Sequence, residues 1–302
     1  MTVIKSYSVK LTDTLKGDMF TIKHGSDNFT IIDCCLSEDD KDTIIQDIKL
    51  SSKDKKMRRF ISTHPDEDHI RNLDYLDDKM HISNFYCVKN NATKKDESDS
   101  FKRYCELRDS SKACFLEKNI TRKWLNLGDS QRGSSGISIK WPIVENEHFK
   151  KALQKANDGG SPNNISPIIY YRLQDGVTAT WMGDLETDFM EEISESINLP
   201  KTNILFAPHH GRDSGKVPKY LLDNMAPDLI IIGEAPSKHL NYYAGYCTIT
   251  QNSAKDITFF CTHREVHVYV SNENYSKKEI DCLKNKDRED MEECYYLGTL
   301  NV

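Results

Sequence analysis

Residues 64–69 read His64-Pro65-Asp66-Glu67-Asp68-His69, directly after Arg59-Phe60-Ile61-Ser62-Thr63, a run with strand character. Buried together, the two imidazoles of His64 and His69 and the carboxylates of Asp66 and Asp68 would repel one another and lose hydration unless a cation compensated them. On extended backbone His64 and Asp66 point to one side, and Asp68 and His69 open the turn behind them. One pair can hold one divalent ion and the second pair another. The plain alternative is a solvated acidic loop with two incidental histidines.

Repetition favours the metal reading. The apolar run 177–183 ends in Asp184, the run 203–208 ends in His209-His210-Gly211, and the run 229–233 leads through a short loop to His239. Ligands delivered from the ends of several strands collect on one rim of a sheet, which is how a rigid scaffold assembles a site from distant sequence. Five of the ten histidines lie at these ends, a pattern that points to a metal enzyme.

The elements that must carry these residues follow from periodicity. Segments 2–11, 18–23 and 29–33 alternate or run apolar, with Lys16-Gly17 and His24-Gly25 between them, and suggest an antiparallel start. Helical spacing appears at 38–50, 68–76, 146–156, 186–197 and 217–224. Further strands are expected at 58–63, 84–88, 166–173, 177–182, 203–206, 229–232, 257–261 and 265–270. The polar, lysine-rich segment 90–136 carries expected helices at 100–107 and 113–125; it reads equally as a lid over a substrate or as surface elaboration. The charged tail 271–302 reads as a helix with a loose end. Two strand-rich halves with helices between them suggest one α/β domain over residues 1–302, a sandwich of two sheets covered by helices.

Composition sets limits. The chain has 302 residues, a formal net charge of −6 and 37% apolar content, with a mean hydropathy of −0.65. No run approaches the ~18 apolar residues of a membrane span, and the N-terminus lacks an apolar signal core. Nine cysteines, none in a CxxC pair, argue for reduced thiols in a cytoplasm and against a disulfide frame. The acidic balance offers no general grip on long nucleic acid. Basic stretches at 53–59 and Lys94-Lys95 read as solvated surface.

The ordered series His64 to His69, Asn163-Asn164-Ile165-Ser166, Gly183-Asp184, His209-His210-Gly211 and His239, with Asp33 in an early Ile-Asp-Cys-Cys segment, resembles the metallo-β-lactamase-fold hydrolases. Within them it is most similar to the hydrolase domain of ComEC-type competence proteins and its stand-alone relatives, over roughly residues 15–270. The resemblance implies an αββα sandwich with a helical insertion around 90–160 and two metals on one edge. It would place His64 and Asp66 on the first metal, Asp68 and His69 on the second, and Asp184 between them. The HHG histidine would complete the first metal, with His210 favoured over His209, and His239 the second. Asn164 stands where many members have a third histidine, as a site contact or as an ordinary turn residue. Asp33 would orient the metal loop from behind.

Departures from the family pattern matter. Asp66 replaces the usual second histidine, Cys34 a glycine, and Arg212 a serine. Added carboxylate shifts preference toward manganese or magnesium, with zinc still possible through the imidazoles. Arg212, and less so Lys216, either clamps a phosphate oxygen or faces solvent. The expected activity is a dinuclear phosphodiesterase or nuclease acting on nucleic acid or a small nucleotide through a metal-bridging hydroxide, with Asp68, Asp184 and His239 at the reacting centre. Alternatives are hydrolysis of a lactone or thioester on the same fold, a non-catalytic module, or an enzyme activated by a protein partner from a defence or stress operon. No membrane partner is expected.

Overall fold

The computed structural model describes residues 1–10, 16–233 and 242–302. Among the described residues two sheets dominate. The larger runs, edge to edge, through Tyr295–Asn301, Glu265–Val270, Ile257–Cys261, Thr2–Ser6, Phe20–Lys23, Asn28–Ile32, Met57–Ile61, Phe85–Cys87 and Ala113–Phe115. The smaller runs through Ile137–Trp141, Ile168–Arg172, Thr178–Trp181, Ile204–Phe206, Leu229–Ile232 and Thr248–Thr250. The N-terminal strands pair antiparallel, as their alternation suggests, and from Asn28–Ile32 outward the ladder becomes parallel.

Period-two alternation sorts the side chains. Phe29, Ile31, Phe60 and Phe85 leave one face of the larger sheet and pack with Ile44, Ile45 and Ile48 of the helix Lys41–Ser52, Leu73 and Leu76 of Leu73–Met80, and Phe101 and Tyr104 of Asp99–Arg108. The opposite face sends Ile4, Phe20, Ile22, Ile32 and Ile61 toward the smaller sheet. Phe20 meets Phe206 edge-on at 4.9 Å, and Phe206 stacks on Trp181 at 4.7 Å. Such aromatic pairs add about 0.5–1.5 kcal/mol each beyond the area they bury. On the smaller sheet's other face Trp141 meets Phe149 of Glu147–Asn157 and Phe189 of Thr187–Glu192. Strands buried on both faces explain the unbroken apolar runs that precede each candidate ligand.

Several expectations are corrected. The helix expected at 113–125 is absent: Ala113–Phe115 is an edge strand, and the following residues are irregular, pinned by buried Leu116 and Leu125. The segment 68–76 is two helices, Glu67–Ile70 and Leu73–Met80, broken where Asn72 turns left-handed at φ 59°. The tail forms one helical turn, Glu273–Ser276, and then the edge strand Tyr295–Asn301, held antiparallel on Glu265–Val270. Cys247 and Cys282 are disulfide-bonded, with Cα atoms 6.1 Å apart; being 35 residues apart, they form no spacing motif. The other seven cysteines are free. Among the described residues no helix is long and apolar enough to cross a membrane.

Candidate metal centre

Asn28–Ile32 and Met57–Ile61 run parallel, so Asp33 and His64 emerge at the same rim. Thr178–Trp181 and Ile204–Phe206 do likewise, and they deliver Asp184 and His209-His210. The two rims meet at one buried point. Asp184 Oδ1 lies 3.0 Å from His69 Nε2, and Oδ2 lies 3.8 Å from His64 Nε2 and 3.7 Å from both His209 Nε2 and His210 Nε2. One carboxylate thus stands among four imidazoles.

Glycines make this approach possible. A Cβ on Gly183 would sit 2.6 Å from Ser166 Oγ and 2.9 Å from Thr63 Cβ, and its φ is 52°; both facts require glycine before Asp184. His209 and His210 follow with φ of 51° and 55°, a conformation that costs a residue with a side chain about 1–2 kcal/mol. Strain of this kind persists where surrounding structure over-determines it, often at functional sites.

Around the centre the ring nitrogens are held from outside. Asp33 accepts from the Thr63 backbone N–H and hydroxyl, each at 2.7 Å, and its Oδ2 lies 2.8 Å from His69 Nδ1. Thr63 Oγ1 and Ser166 Oγ face His64 Nδ1 at 3.1 and 3.3 Å. Ser214 Oγ faces His209 Nδ1 at 2.9 Å. These contacts leave the other nitrogens of His64, His69 and His209 turned inward.

His210 belongs with the second pair of the metal loop, not the first as the family pattern would have it: its Nε2 is 3.2 Å from Asp68 Oδ2 and its ring 5.1 Å from that of His69. Its Nδ1 lies 3.0 Å from Asp18 Oδ1. Asp18, absent from the sequence reading, therefore joins the cluster, and ligand atoms of Asp18, His69, Asp184 and His210 all lie within 4.8 Å of one another. The signal for it was Gly17. A Cβ there would come within 2.1 Å of the Asp68 carbonyl oxygen, against which the Asp18 backbone N–H donates at 3.2 Å.

The donor set fits a cation. His64 Nε2, His69 Nε2 and Asp184 Oδ1 are buried and make no hydrogen bond; His69 Nε2 and Asp184 Oδ1 lie close but are not aligned for one. Unpaired buried polar atoms cost about 1–3 kcal/mol each, so their convergence calls for a common partner. The charges agree. Burial would raise the Asp184 carboxyl, yet the His69 and His210 imidazoles outweigh it and hold it well below the carboxylate range. Burial lowers His210, but Asp18 and Asp184 lift it to about 10. His64, buried beside His69, falls below its ordinary value. This buried Asp/His group could hold a metal ion.

Other expected residues lie differently. Asn164 is turned away from the cluster: its Oδ1 accepts from the Glu186 backbone N–H at 2.9 Å and its Nδ2 donates to the Glu186 carboxylate at 2.8 Å, which serves the start of Thr187–Glu192. Arg212 is half-buried and close enough to His209 to lower its proton affinity, behind burial as the main cause. Lys216 is exposed, its ammonium 5.6 Å from the Tyr242 ring centroid. Asp66 stands at the mouth, Oδ2 3.8 Å from His64 Nε2. His239 lies outside the described residues. The chain matches no known family model and no curated protein.

Proposed function

We propose that the protein is a metal-dependent phosphodiesterase built on the metallo-β-lactamase fold, related to the stand-alone hydrolases that resemble the ComEC domain. The observation that carries this reading is Asp184 among four imidazoles, with unpaired buried atoms aimed at a common point. Two stacked sheets with helices outside, and ligands at strand ends, support the fold assignment.

His64, Asp66 and His209 would hold one divalent ion and Asp18, Asp68, His69 and His210 a second, with Asp184 shared. Bound there, two such ions supply Lewis acidity and neutralise charge on attacking and leaving oxygens. Four carboxylates favour manganese or magnesium over zinc. Asp33, Thr63, Ser166 and Ser214 fix the tautomers and ring angles of the histidines, which keeps the donors pointed inward. Arg212, half-buried and near His209, would meet an anionic oxygen of the substrate.

Hydrolysis of bis(p-nitrophenyl) phosphate by metal-stripped protein refilled with manganese, magnesium or zinc tests the proposal. Manganese-dependent turnover is expected, with a loss of roughly 100-fold or more in Asp184→Asn. Protein that binds two ions yet hydrolyses no phosphodiester would move the assignment to another ester class.

A further inference from the structure

Resting on the phosphodiesterase reading, we propose that Lys94 is the residue that fits this site to an anionic ester: its ammonium steadies Asp66 and offers its remaining protons to a non-bridging oxygen of the substrate phosphate. Lys94 Nζ lies 3.0 Å from Asp66 Oδ1, while Asp66 Oδ2 faces His64 Nε2 at 3.8 Å. The carboxylate therefore spends one oxygen on the candidate centre and the other on the lysine. Among residues whose side chains are described, no other Lys or Arg nitrogen lies within 4.0 Å of a carboxylate of Asp18, Asp66, Asp68 or Asp184.

The backbone that delivers Lys94 is anchored for the purpose. Asn90, buried, donates to the Val88 carbonyl oxygen and to Tyr104 Oη, both at 2.7 Å, and accepts from the Ala92 backbone N–H at 3.1 Å. On the other flank the Asn91 backbone N–H donates to Asn157 Oδ1 at 2.7 Å, and Thr93 Oγ1 donates to the Asn157 carbonyl oxygen at 3.1 Å. The strap is thus tied both to the sheet-side helix Asp99–Arg108 and to the end of Glu147–Asn157. Further out, Lys94 Nζ lies 5.4 Å from the centroid of the Phe101 ring, itself buried.

Exposure says what the pair is for. The side chains of Lys94 and Asp66 are 25% and 31% exposed, and an ion pair that open contributes little to stability. An ammonium has three protons; Asp66 Oδ1 takes one, and the exposure of the side chain leaves the others open to an anion that reaches the cluster. A neutral carboxyl ester offers such a cation only an uncharged carbonyl oxygen in the ground state, whereas a phosphodiester presents a full negative charge to it.

The test uses full-length, manganese-loaded protein with inorganic phosphate as the probe, comparing wild type, Lys94→Met and Lys94→Arg. Calorimetry is expected to show phosphate binding weakened about tenfold in Lys94→Met, and KM for bis(p-nitrophenyl) phosphate raised by a similar factor with kcat changed much less. Lys94→Arg, which keeps the charge, should recover most of both. Manganese affinity, titrated separately, should move less than phosphate affinity does. Unchanged phosphate affinity and KM in Lys94→Met overturn the proposal, as does a loss confined to manganese affinity, which would reduce Lys94 to a prop for Asp66. Wild-type protein that neither binds phosphate nor cleaves the diester overturns the phosphodiesterase reading as well. Wild-type turnover with an indifferent Lys94→Met sinks this proposal alone.

Discussion

His210 sits between Asp18 at 3.0 Å and Asp68 at 3.2 Å, so its ring is fixed by two chain segments that are far apart in sequence. Asp18 is the less expected of the two. If it only steadies His210, Asp18→Asn should keep the geometry and weaken manganese binding by about 10–100-fold, the range for groups that orient a ligand. Titration calorimetry reads this directly, and unchanged affinity would remove Asp18 from the centre. Gly183 makes a sharper case. Alanine there would press on Ser166 and Thr63 and keep an unfavourable φ of 52°, so Gly183→Ala should cost roughly 1–3 kcal/mol of stability and displace Asp184. Chemical denaturation with a parallel manganese titration checks both. A variant as stable and as metal-competent as wild type would show that the turn has room to spare.

At the scale of elements, what the sequence disclosed was the strand-end rule. Apolar runs stopping at His64, Asp184 and His209 are readable because strands buried on both faces leave no polar residue until they surface at the rim. The parts that stayed hidden depend on contacts that periodicity does not encode. Asp18 reaches the site only because Gly17 lets two backbones touch, and the residues after Phe115 lose their expected helix to sheet pairing and to the anchoring of Leu116 and Leu125. Whether the HHG histidine serves His64 or Asp68 depends on how the two sheets close on each other. The disulfide is of the same kind: Cys247, just before Thr248–Thr250, is joined to Cys282 in the tail. Closing a loop of 35 residues is worth about 3–4 kcal/mol on a chain-entropy account, less in strained cases. Cys282→Ser should therefore lower the thermal midpoint, and dithiothreitol should lower wild type to match it. Coincident melting curves for oxidised, reduced and substituted protein would mean that the bond contributes nothing to stability.

Across the whole molecule the two ends of one strand carry opposite electrostatic problems. Asn28–Ile32 has Asp33 and the candidate metal centre at one end and the turn bearing His24 at the other, roughly 17 Å apart at 3.4 Å per residue. His24 is 2% exposed, its Nε2 is 2.9 Å from Thr30 Oγ1, and Arg59 and Lys55 lie close by. Burial first, then those two cations, push His24 well below its ordinary value. The folded protein thus keeps the ring neutral where the unfolded chain would protonate it near pH 6.5. In that range the unfolded state binds more protons, so stability rises with pH and is lost as pH falls through 6.5, with a limiting slope of about 1.4 kcal/mol per pH unit. The imidazoles of the candidate centre pull both ways: His64 and His209 are lowered like His24, whereas His69 and His210 are raised and act in the opposite sense. Their sum hides the His24 contribution in any single curve. The difference between wild type and His24→Gln isolates it, because sites this far apart add almost independently. Urea unfolding at pH 7.5, 6.5 and 5.5 should show wild type losing stability relative to His24→Gln as the medium acidifies. A constant difference across the three would mean that His24 protonates in place, and that the end of the sandwich holding Arg59 and Lys55 is wetter than its packing implies.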